Sequence, residues 1–144
     1  MTRSARFCYL WVAMVAVSGL AAGCGSSLDS SVSGTVTLGG KPLELGNGTG
    51  TVSFYPENGG PAAQANIEPD GTYSIKTGGT KGIRSGAYFV TAVATGPSPP
   101  SPPGASPLPG PLLIPTRYGT PQTSNLHFPI APGSNQIDIA ITSE

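Results

Sequence analysis

The chain predicts an all-β fold: a single antiparallel β-sandwich of about seven strands, following an N-terminal signal peptide. Three observations carry this expectation. After Gly23 the apolar residues alternate over short runs rich in Val, Ile, Thr, Tyr and Phe, with no helical periodicity. The 21 Gly and 16 Pro fall largely between those runs, as turn residues do, rather than evenly along the chain as in a low-complexity sequence. The length of 144 residues suffices for one hydrophobic core and no second one.

Residues 1–23 read as the signal peptide. Arg3 and Arg6 precede an apolar run from Phe7 to Val17, which gives way to small residues through Gly23. That run, at eleven residues, is short of the ~20 that cross a bilayer as a helix. Its end, Leu20-Ala21-Ala22-Gly23-Cys24, resembles the lipobox of bacterial lipoproteins, with Leu20 one place further from the cysteine than in the commonest form. The resemblance implies that the Cys24 thiol takes a diacylglyceryl group and further acyl chains such as palmitate. It also implies cleavage before Cys24 and a location in the cell envelope, lipid-anchored to a membrane outside the cytoplasm. Cleavage would remove Cys8, Trp11 and Met14 and leave one cysteine blocked as a thioether, so no disulfide is expected. Residues 24–31 then form the lipidated Cys and a small, polar, flexible tether. Two or three acyl chains suffice for stable anchoring.

The sandwich is expected over residues 32–142. Val32 to Leu38 alternates and stops at Gly39-Gly40-Lys41-Pro42, which cannot continue a central strand. Thr51 to Pro56 follows, with Val52 and Phe54 on one face, and Asn58-Gly59-Gly60-Pro61 closes it. Ala63 to Ile67 and Thr72 to Lys76 flank Pro69-Asp70-Gly71, a hairpin signal because glycine accepts positive φ without steric cost. Gly86 to Ala94 is the longest apolar run and reads as a central strand, with Tyr88, Val90 and Ala92 opposite Phe89, Thr91 and Val93. Leu126 to Ile130 and Gln136 to Ile141 complete the set, the last with Ile137, Ile139 and Ile141 on one face. Between them lies a Pro-rich loop insertion, residues 97–111, which holds half of the prolines and favours extended polyproline II. It reads as a solvated spacer.

The order Gly34-Thr35-Val36, Gly40-Lys41-Pro42-Leu43, Val52-Ser53-Phe54, Asp70-Gly71-Thr72-Tyr73 and Gly86-Ala87-Tyr88-Phe89-Val90 resembles a carboxypeptidase regulatory-like domain. Ile114-Pro115-Thr116-Arg117-Tyr118 with Thr123-Ser124 is similar to small bacterial lipoproteins built of that one domain. The resemblance implies a transthyretin-like (prealbumin-like) sandwich and no catalytic residues. The sequence departs from that pattern in the Gly-rich piece Leu45 to Gly50 and in the Pro-rich run.

Charged residues make up only 10% of the chain with zero net charge, which excludes a basic footprint for nucleic acid. No cofactor motif and no metal-ligand spacing are present. His127, the one histidine, alternates with Leu126 and Phe128 and should face solvent, and nothing selects a serine and carboxylate to make it catalytic. Glu57, Glu68 and Asp70 match no calcium loop. Arg117 and Tyr118 are the candidate binding pair, an Arg beside an aromatic being a common anchor, although Tyr118 would equally suit covering the sandwich end. The expectation is a non-enzymatic, membrane-anchored envelope lipoprotein serving structure, adhesion or protein interaction, with an unknown envelope protein or glycan as partner. The alternative is a carbohydrate- or cell-wall-binding module using Tyr55, Tyr73, Tyr88 or Tyr118.

Overall fold

A computed structural model describes residues 28–143. The signal peptide and Cys24 lie outside the described residues. The described chain is a two-sheet β-sandwich, as the alternating runs predict. Its strands are β1 (Ser30–Leu38), β2 (Lys41–Pro42), β3 (Thr49–Pro56), β4 (Ala63–Asn66), β5 (Thr72–Ser74) and β6 (Lys76–Thr77). They continue with β7 (Thr80–Lys81), β8 (Gly86–Thr95), β9 (Leu126–Ile130), β10 (Gly133–Gln136) and β11 (Ile139–Ile141). A 3-10 turn (Thr116–Gly119) and a one-turn helix α1 (Pro121–Ser124) stand between β8 and β9.

One sheet runs β7-β6-β4-β3-β8-β9, and β8 is internal in it, as its apolar character requires. The other is built around β1, with β5 and β2 antiparallel to it. All ladders are antiparallel except two: β10 and β11 pair with β1 in parallel, Ser30 opposite Gly133 and Val36 opposite Ile139. Between those two ladders the chain kinks. The Ile137 amide donates to the Ser33 carbonyl at 2.9 Å, and the Asp138 carboxylate accepts the Thr35 amide at 2.9 Å, a side chain completing the ladder. The kink brings the Ile137 carbonyl over Gly34, where any side-chain Cβ would collide with it.

Both inner faces contribute to one core. Phe54, Val52, Val90 and Ala92 from one sheet meet Val32, Val36, Ile139 and Ile141 from the other, all at most 1% exposed. In the connection before β3, Leu43 and Leu45, the latter opening the Gly-rich piece Leu45 to Gly50, are also buried. The Asp70-Gly71 turn forms as predicted. The Asp70 carboxylate accepts the Thr72 amide and hydroxyl, and Gly71 takes φ +86°, a conformation that costs glycine nothing.

Two boundaries differ from expectation. Asp29 to Ser31, expected in the tether, belong to the fold: Ser30 exchanges backbone hydrogen bonds with Ile83, and Asp29 accepts from the Ser85 amide and hydroxyl. The Thr72 to Lys76 run divides between the sheets, β5 pairing with β1 while β6 returns to β4. The Pro-rich segment leaves and re-enters through a closed neck, the Gly96 amide donating to the Pro111 carbonyl at 2.8 Å. It turns back on itself at Pro102–Ala105 rather than extending.

Candidate functional site

The strand alternation that sends Tyr88 and Val90 into the core sends Phe89 to the outer face of the six-stranded sheet. Register then places Phe89 directly between two other outward side chains, Tyr55 on β3 and His127 on β9. The result is an aromatic strip across three strands. Tyr55 and Phe89 are each 37% exposed and the His127 side chain 47%. The Phe89 and His127 ring centroids are 5.0 Å apart at a tilt of 48°. At the outer edge, Glu57 brings its carboxylate to 3.7 Å from His127 Nε2.

Helix α1 walls the strip on its other side. Pro121 opens the helix at its first position, where a missing amide hydrogen costs nothing. Asn125 closes it in the left-handed region at φ 52°, which asparagine tolerates better than most residues. That reversal returns the chain to β9, and it sets Gln122 and Asn125 beside Phe89 and His127 around a shallow depression of about 400 Å³. The depression offers π-faces, two amides, an imidazole and a nearby carboxylate. Such a set binds by stacking and hydrogen bonding. Among the described residues the one charged neighbour within 4 Å of His127 is Glu57.

Arg117 and Tyr118 are brought together elsewhere, on the C-terminal segment. The Arg117 guanidinium lies 4.8 Å over the Tyr118 ring and donates to the Thr142 carbonyl at 3.0 Å and hydroxyl at 2.6 Å. The Tyr118 oxygen meets the Thr142 hydroxyl at 3.1 Å and accepts the Thr142 amide at 3.2 Å. These donors, the Thr142 hydroxyl first, lower the phenol to about 8. Tyr118 is buried and covers the end of the sandwich, so the pair works as an internal clasp on Thr142, directly after β11.

Of the four tyrosines considered for glycan stacking, Tyr73, Tyr88 and Tyr118 are all buried, and Tyr55 alone reaches the surface. Tyr73 donates to the Ile137 carbonyl at 2.7 Å inside the core, and burial pushes its phenol well above the usual range. Phe89 is the exposed aromatic that sequence reasoning passed over. Its parity opposite Tyr88 and Val90 was the available signal. Glu57, Glu68 and Asp70 do not converge, and among the described residues no three His, Cys, Asp or Glu gather around a common point.

Comparison with known proteins leaves this geometry to stand alone. No family model matches the chain, and no curated protein matches it.

Proposed function

We propose that the chain is a non-enzymatic envelope lipoprotein, anchored through lipid on Cys24, whose sandwich is a recognition module with the Tyr55–Phe89–His127 strip as its contact surface. The observation that carries this reading is the strip itself. Two exposed aromatics and a histidine in register on a rigid sheet form an anchor surface of the kind that interfaces favour, and the flanking side chains can hydrogen-bond. The lipobox-like Leu20 to Cys24 supports the anchor, and the strand-and-turn order supports kinship with carboxypeptidase regulatory-like domains. The carboxylates of Asp29, Asp70 and Asp138 are engaged in holding the fold, which suits a structural or adhesive role.

A glycan or cell-wall polymer is the second reading, favoured by the Gln122 and Asn125 amides beside the Phe89 ring. Both readings are tested on protein made in a bacterial host. Intact mass of membrane-extracted protein should begin at Cys24 with added acyl mass, and Cys24→Ser should abolish it. A photo-crosslinking residue at position 89 should give envelope adducts that the same residue at position 41 does not. Adducts at both positions or neither would remove the strip from the proposal, and co-sedimentation with purified sacculi, lost in Phe89→Ala, would favour the glycan.

A further inference from the structure

From Leu28 onward five Lys or Arg stand against seven Asp or Glu, so the domain is net acidic. Three of those five cations, Lys76, Lys81 and Arg84, nevertheless cluster on and after one edge hairpin, β6–β7. Lys76 and Lys81 are direct cross-strand partners, and all three side chains are exposed. Like charges placed opposite each other on a ladder destabilise it. Among the described residues none of the three has a carboxylate within 4 Å. Glu68 lines the same cleft as the two lysines, and the Asp29 carboxylate is held by Ser85, next to Arg84 in the chain.

The hairpin also adjoins the point where the chain enters the fold. Leu28 packs over Gly82, where an added Cβ would come within 3.2 Å of it. Ser30 and Ile83 exchange backbone hydrogen bonds at 3.0 and 2.8 Å. Cys24 stands four residues before Leu28, and four residues span at most about 14 Å. A lipid on Cys24 therefore confines this end of the sandwich to the headgroup layer. The fourth cation, Lys41, pairs with Leu38 at the far end of β1, about 26 Å along a nine-residue strand.

We infer that the β6–β7 hairpin with Arg84 is a membrane-facing surface that docks on anionic lipid headgroups and fixes the sandwich upright on its anchor. The inference rests on the proposed lipidation of Cys24. Each basic side chain near such a surface adds to the attraction, which fades beyond a Debye length of about 8 Å, so only a hairpin tethered this closely gains it.

The test uses the membrane-extracted full-length lipoprotein reconstituted on vesicles of phosphatidylcholine, with or without phosphatidylglycerol as about a third of the lipid. A membrane-impermeant amine reagent labels exposed lysines, and mass spectrometry reads each site, with Lys41 as internal reference. On anionic vesicles Lys76 and Lys81 should label about threefold more slowly relative to Lys41, an effect lost on neutral vesicles and in about 0.5 M salt, where screening shortens to a few Å. Equal relative rates on both vesicle types, with acyl mass present on the same sample, would overturn the docking surface and leave the anchor standing. Protection that persists on neutral vesicles and in salt would overturn the lipid as its cause. Absence of acyl mass would instead overturn the anchor, and the docking inference with it.

Discussion

The Thr142 amide and the Arg117 guanidinium donate to the Tyr118 phenol oxygen, and the Thr142 hydroxyl shares a hydrogen bond with it. These stabilise the phenolate, so the group falls to about 8, while burial drives Tyr73 and Tyr88 in the opposite direction. An unfolded tyrosine ionises near pH ~10. The folded chain thus releases this proton first, and folding gains stability as pH rises from about 8 towards 10, a gain lost when pH falls back through about 8. Tyrosinate absorbance should show one group titrating with a midpoint of about 8, absent in Tyr118→Phe; a wild-type titration without it would contradict the clasp. Local sequence could not show this arrangement. Arg117-Tyr118 reads equally as an exposed anchor or as cover for the sandwich end, because nothing nearby tells that Thr142 lies alongside it. The same limit hid the strip: alternation turns Phe89 outward, but only the register of β3, β8 and β9 sets Tyr55 and His127 beside it.

At the scale of the element, β1 depends on a residue that is not there. Gly34 has no side chain, and the Ile137 carbonyl occupies the space one would need. Gly34→Ala should force the C-terminal strand off β1 and lower stability by about 3 kcal/mol in urea denaturation, the upper range for overpacking. A change within ~0.5 kcal/mol, the size of an ordinary surface substitution, would show that the kink yields freely. The alternating runs gave every long strand and the inward faces, including Val52 with Phe54 and the three isoleucines of the last run. They missed β2 and β7, two-residue edge pairs too short to show a period. They also missed β10 but for Gln136 and ran β5 into β6, because periodicity fixes which way side chains point and leaves open which strand lies next door.

For the molecule as a whole, the last strands close the core. Ile137, Ile139 and Ile141 are all buried, and burying each contributes about 2 kcal/mol. Their total of about 6 kcal/mol is comparable with the entire net stability of a domain this size. A chain ending before Gly133 should therefore be unfolded by circular dichroism and amide-proton dispersion; a cooperative melt in that truncation would refute the dependence. Fold class was legible in the sequence because patterning and turn chemistry are local. The pairing of first strand with last was not, since it joins residues over a hundred positions apart. That pairing also sets a schedule. A chain made or threaded N-terminus first presents Ser30 to Leu38 long before the neighbour of that segment, which arrives only with Gly133 to Ile141. Any ribosome or pore still gripping Gly133 to Ile141 holds the domain open, and the emergence of that segment is the event that lets it shut.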